Sequence, residues 1–217
     1  NTYESVCPLT PMQRDLYLDA VLNPDTRFNS LGYALEIHQS LDQQVWQQAL
    51  QYLIDHEPLL RTDLIASQQT YLDMAYQAVC RRKVVALEVQ DLSDNPPDKK
   101  VLNDYLNELI YRRYDVQQVA ADRHDLWRPL LLKLAGNHWV AVLAVHHALL
   151  DGVGATRHLQ HLCAVYANLK KQQQPSLESV SFYQDILPQR ELFDLPDCLD
   201  YWKTAFSTVE GLDFPHS

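Results

Sequence analysis

The chain has 217 residues, with 28 acidic and 18 basic side chains and a net charge of −10. Its length allows a domain with a substantial core, and 47% apolar against 21% charged residues excludes a disordered chain. The acidic balance argues against nucleic acid, whose phosphates are bound by Lys and Arg, and equally against an anionic membrane surface.

Taken in chain order, Leu9-Thr10-Pro11-Met12-Gln13-Arg14 reads as a capped helix start, with Thr10 as N-cap and Pro11 at the first helical position. Asn23-Pro24-Asp25 is a turn, and Leu31 to His38 has the alternating, branched character of a strand. Asp42 to His56 predicts a helix, because Val45, Ala49, Leu50, Leu53 and Ile54 share one face. Pro58 ends it. Leu59 to Ile65, Thr70 to Val79 and Val84 to Val89 follow as strands. Asp98 caps a further helix to about Tyr114, with Val101, Leu102, Tyr105, Leu106, Leu109 and Ile110 as its apolar face. Pro129 to Leu134 and His138 to Val145, joined by Ala135-Gly136-Asn137, predict an antiparallel hairpin. A tight turn at Asp151-Gly152 and Gly154 leads into a helix from about Gly154 to Lys170. Lys171 to Ser176 is polar, with a Gln run, and short helices are expected near Phe182 to Leu187 and Leu195 to Phe206. Mixed strands and helices with a hairpin predict an α/β two-layer sandwich rather than a purely parallel fold.

Cys7, Cys80, Cys163 and Cys198 include no C-x-x-C pair, so the expectation is reduced thiols and a cytoplasmic location. The chain opens with no basic-then-apolar leader. No apolar run approaches the ~18 residues of a membrane span. A start at Asn1 rather than Met leads us to expect a processed or excised fragment.

The run His146-His147-Ala148-Leu149-Leu150-Asp151-Gly152 carries the most chemistry. Two consecutive residues at a strand end point to opposite faces, so one histidine can face a cleft while the other packs inward. Histidine is the side chain best placed to hold or take a proton near neutral pH. Asp151 can anchor the turn if it meets a buried cation, and Gly152 either takes a positive φ or leaves room for a substrate. Three other readings stand beside a general base. The pair can be a satisfied core feature. It can ligate a metal, although adjacent histidines rarely chelate one ion. Or it can serve a Ser or Cys nucleophile, although no G-x-S-x-G occurs.

The same run resembles the H-H-x-x-x-D-G signature of nonribosomal peptide synthetase condensation domains, shared with chloramphenicol acetyltransferase. Pro8-Leu9-Thr10-Pro11-Met12-Gln13 is similar to the family's first motif, Leu60-Arg61-Thr62 to the L-R-T of its second, and Tyr183-Gln184-Asp185 and Tyr201-Trp202 to later elements. The five matches come in family order. His56-Glu57-Pro58 sits one place out of register with the R-H-E that often opens the second motif, and Val153-Gly154-Ala155 replaces a common Ser-Trp. The resemblance implies a chloramphenicol-acetyltransferase-like lobe of mixed sheet and helices, one of two in the complete domain. Residues 1–171 would form that lobe, and 172–217 would lead toward the second.

By that resemblance His147 is the catalytic histidine, and His146 and Asp151 complete the catalytic run with more structural roles. Arg61 would support the loop through a buried ion pair with Asp151, and Gly152 would border the substrate channel. No cofactor and no metal would be bound. The substrates would be phosphopantetheine thioesters on donor and acceptor carrier domains, beside adenylation or other synthetase modules. A stand-alone acyltransferase using coenzyme A, or a non-catalytic carrier-docking lobe, are the competing functions.

Overall fold

A computed structural model describes residues 2–66, 75–116, 126–177 and 196–207. The elements are β1 (Tyr3–Pro8), α1 (Pro11–Leu22), β2 (Ser30–Ile37), α2 (Gln43–His56), a 3-10 helix (Pro58–Arg61), β3 (Thr62–Ala66), β4 (Ala75–Cys80), β5 (Glu88–Asp91), α3 (Lys99–Ile110), β6 (Trp127–Ala135), β7 (His138–His146), α4 (Gly152–Lys170) and α5 (Pro196–Ala205). They divide by contacts into residues 1–180 and 181–217.

The first unit holds two sheets, a three-stranded one in the order β1-β4-β3 and a four-stranded one in the order β2-β7-β6-β5. All pairings are antiparallel except β5 with β6. The β6–β7 pairing is the hairpin expected from the sequence. The two faces of the larger sheet bury different helices. Val140, Val142, Leu130 and Leu132 pack with Leu102, Leu106 and Ile110 of α3. Alternate residues Trp139, Ala141 and Leu131 pack with Trp46 of α2 and with Leu162 and Tyr166 of α4. Period-two alternation on strands and a helical stripe on each helix produce this arrangement. A third cluster joins α1, α2, the 3-10 helix and β3 to Ala148, Leu149 and Leu150.

Local signals hold well. Thr10 Oγ1 accepts from Gln13 N–H at 3.2 Å while Gln13 Oε1 accepts from Thr10 N–H at 3.0 Å, a complete capping box. Asp42 and Asp98 cap α2 and α3. Trp46 joins the buried face of α2, whereas Val45 is only half-buried. Three expectations shift. The strand expected at Leu59 to Ile65 begins as the 3-10 helix, because Pro58 takes its first position and Thr62 is the first extended residue. The strand expected at Val84 to Val89 forms instead at β5, paired with Leu130 to Lys133. β1 is an edge strand that the sequence did not announce. Residues 70–74 of one expected strand and the helix expected near Phe182 to Leu187 lie outside the described residues.

In the second unit, α5 stacks Trp202 on Phe206 at 5.4 Å and meets Tyr201 edge-on at 5.1 Å. Among the described residues no helix is long and apolar enough to cross a membrane.

Candidate active site

β7 ends at His146, and the chain turns through His147 to Leu150 before Asp151 opens α4. Exposure alternates sharply along this run. His146 is 2% exposed, His147 is exposed, Ala148, Leu149 and Leu150 are 2–5% exposed, and Asp151 is exposed again. The three apolar residues therefore act as an anchor, and each buried Leu contributes about 1.5–3 kcal/mol toward holding the turn.

His146 is fixed on every side. Its N–H donates to Leu126 O at 2.7 Å and its carbonyl accepts from Leu149 N–H at 2.9 Å. The ring meets Tyr114 edge-on at 5.6 Å. Its Nδ1 accepts from Ala148 N–H at 3.2 Å, so the proton of the neutral ring sits on Nε2. Burial, reinforced by His147, lowers its pKa to about 4 despite an opposing contribution from Asp19. His146 is thus a neutral brace across the physiological range. His147 points the other way, with its own N–H donated to Asn29 O at 2.7 Å. Asn29 is in turn held by Asp19 Oδ2 at 2.6 Å.

Asp151 is the N-cap of α4: its Oδ1 accepts from Gly154 N–H at 2.6 Å. A carboxylate at a helix N-terminus also meets the favourable end of the dipole. Gly152 has no positive φ, and nothing lies within 4 Å of where a Cβ would stand, which leaves open space beside the turn. The crowded glycine is Gly154, where a Cβ would meet Asp151 Oδ1 and Leu150 Cδ2 at 3.2 Å.

The ion pair expected between Arg61 and Asp151 does not form. Arg61 ends the 3-10 helix and turns its guanidinium into the smaller sheet, where it meets Glu4 Oε2 at 3.2 Å, donates to Ile54 O at 3.2 Å, and also bonds Cys80 O. Arg61 is buried there, while the Asp151 carboxylate is exposed and spent on its helix cap. Beside Arg61, the buried Asp63 carboxylate holds Lys83 Nζ at 3.5 Å and accepts from Cys80 Sγ at 3.1 Å. Burial and that hydrogen bond push the Cys80 thiol up to about 12, so it is no nucleophile.

Residues outside the expected set tie the turn to the first two motifs. Gln13 Nε2 donates to Ala148 O and to Gln77 Oε1, both at 3.2 Å, and Gln77 Nε2 donates to Pro8 O at 3.0 Å. Glu57, of the displaced His56-Glu57-Pro58, accepts from His161 Nδ1 at 3.1 Å and lies 3.9 Å from His158 Nε2. His158 Nδ1 donates to Gly154 O at 2.6 Å. The second motif therefore grips the start of α4 through Glu57 rather than through Arg61. In the sequence, the spacing of His158 and His161 on one helix face was the available signal. Trp127 Nε1 closes the frame by donating to Leu60 O at 3.0 Å. Tyr183, Gln184 and Asp185 lie outside the described residues.

The curated relatives and solved structures agree with one another. Over 220 residues the chain is 25% identical to part of the linear gramicidin synthase of Brevibacillus parabrevis, covering 99% of this chain and 4% of the relative. It is 25% identical over 205 residues to surfactin synthase subunit 3 of Bacillus subtilis (strain 168), covering 94% and 16%. Its fold is that of the starter condensation domain of rhizomide synthetase, with a TM-score of 0.80 at 20% identity over 95% of this chain and 49% of the other. The first condensation domain of the calcium-dependent antibiotic synthetase, in complex with a substrate analogue, gives a TM-score of 0.77 at 21% identity over 94% and 48%. The chain thus spans about half of each solved domain and a small fraction of each synthetase. The model of the family described as Condensation domain matches residues 3–217, and the chain belongs to that family.

Proposed function

We propose that the chain is the N-terminal part of a nonribosomal peptide synthetase condensation domain, which joins a carrier-bound donor acyl or peptidyl thioester to a carrier-bound acceptor amine. The amine nitrogen attacks the thioester carbonyl, a tetrahedral intermediate forms, and the phosphopantetheine thiol leaves as the amide is completed. His147 takes the proton from the attacking amine or steadies the intermediate. His146 and Asp151 hold the turn, Gly152 leaves the approach open, and Arg61 stiffens the neighbouring sheet. The observation that carries this reading is the exposed His147 on a turn locked by the neutral, buried His146 and by the Gln13 bond to Ala148 O. Presentation of two tethered substrates in the correct geometry would supply about 7–11 kcal/mol of the barrier reduction. The partners are donor and acceptor carrier domains and neighbouring synthetase modules, in the cytoplasm.

The test uses the full-length parent with both carriers loaded. His147→Ala should slow product formation by about 10²–10⁴-fold while carrier binding persists. Undiminished turnover in that variant removes His147 from the chemistry. A parent that turns over coenzyme A thioesters with a soluble amine or alcohol, and not loaded carriers, overturns the substrate assignment.

A further inference from the structure

At the end of the larger sheet opposite His146, two strands bring together a donor set that acyl transfer does not use. Glu36 and His38 are two residues apart and so project to one face. The register Ile37↔Trp139 places His38 directly across from His138. The two rings lie 4.6 Å apart. His38 Nε2 is 3.2 Å from Glu36 Oε2, and His138 Nε2 is 3.8 Å from the same oxygen. One ligand atom from each of the three residues falls within 4.8 Å of the others. His138 Nε2 is closed off from solvent and makes no hydrogen bond.

We propose that Glu36, His38 and His138 form a site for one divalent metal ion of the zinc class. Zinc bonds of ~2.0–2.2 Å to nitrogen and oxygen in a tetrahedron give donor-to-donor edges of about 3.3–3.5 Å. The observed 3.2 and 3.8 Å bracket that range, so closing the site needs side-chain shifts of a few tenths of an ångström. Two imidazoles and one carboxylate select a borderline ion, whereas Mg²⁺ and Ca²⁺ favour all-oxygen sets. The Glu36 and His38 side chains are 54% and 68% exposed, which leaves an open side for a water as fourth ligand. A bound ion would give the buried His138 nitrogen its partner and would tie the end of β2 to the β6–β7 turn. The site lies eight residues along β7 from His146, about 26 Å at strand rise. It is independent of the proposed acyl-transfer chemistry.

Titration of the purified chain with Zn²⁺ alone, followed by calorimetry, and with Co²⁺ alone, followed by visible absorption, tests the proposal. One ion per chain is expected, with the intense absorption of four-coordinate Co²⁺ and a melting temperature that rises with Zn²⁺ concentration. His38→Ala changes an exposed side chain and Glu36→Gln keeps its shape, so neither threatens folding. Each should weaken binding at least as much as loss of an outer-shell partner does, about 10–100-fold. His161→Ala, which breaks up the other His–Glu grouping, should leave binding intact. Failure of the unaltered chain to bind, undiminished binding in both His38→Ala and Glu36→Gln, or equal binding of Mg²⁺ overturns the proposal.

Discussion

The carboxylate of Asp151 has a smaller structural task than the aspartate of a buried ion pair. It caps α4 through Gly154 N–H, in solvent, while Arg61 is engaged 3.2 Å from Glu4 and on two backbone carbonyls. Loss of a cap costs about 0.5–2 kcal/mol, whereas breaking a buried pair costs about 3–5 kcal/mol. Asp151→Ala should therefore lower the urea-unfolding free energy by about 1 kcal/mol, and Asp151→Asn, which still accepts a hydrogen bond, by less. Arg61→Ala should cost more than Asp151→Ala, because it leaves the Ile54 and Cys80 carbonyls unpaired in the interior. Since the two residues share no contact, the double variant should equal the sum of the singles within about 0.5 kcal/mol. A coupling energy of several kcal/mol in that cycle would reinstate the ion pair.

The elements around the turn are locked to one another by side-chain amides reaching across the fold. Gln13 links the start of α1 to Ala148 O and, through Gln77, to β4. Gln13→Ala should cost about 1–3 kcal/mol, because it strands a buried carbonyl and a buried amide together. It should also speed hydrogen exchange at Leu149 and Leu150 more than at α3, which Gln13 does not touch. Uniform loss of protection along the chain would show that Gln13 contributes only general stability. This distribution of bonds explains what the sequence could reveal. The α1 cap, the β6–β7 hairpin and the opposed faces of His146 and His147 depend on residues a few positions apart, so periodicity and cap chemistry expose them. The Gln13 bond to Ala148 spans 135 residues and the His161 bond to Glu57 spans 104, and no local pattern encodes either. The Arg61–Asp151 pair came from the family resemblance alone, and the displaced His56-Glu57-Pro58 is where this chain departs from it. Gly32 was equally silent: its Cβ would stand 2.1 Å from Leu143 O, so side chains are excluded where β2 meets β7, yet the sequence there reads as an ordinary strand.

The folded unit as a whole carries histidines that resist protonation, and this sets its response to acid. His146 is held near 4 by burial against an ordinary value of 6.5, and burial lowers His158 as well, against the opposing pull of the Gly154 carbonyl and Glu57. In the unfolded chain both rings take up protons near 6.5, whereas folded His146 stays neutral until the pH approaches 4. Between those values the unfolded state binds more protons, so stability is full above 6.5 and falls as the pH drops toward 4. For His146 alone the loss amounts to roughly 3 kcal/mol when the window has been crossed. Asp91 acts in a lower window: hydrogen bonds from Lys133 and Ser93 hold it near 2, so its contribution fades only below about 3.8. Urea midpoints measured from above 6.5 down to 4 should therefore decline steadily in the unaltered chain. His146→Asn removes the titrating ring while keeping a polar side chain of similar reach. It should be less stable at neutral pH, yet lose clearly less further stability across the same window. If its decline matches that of the unaltered chain, the buried ring is not the group that acid attacks, and the neutral brace assigned to His146 falls with it.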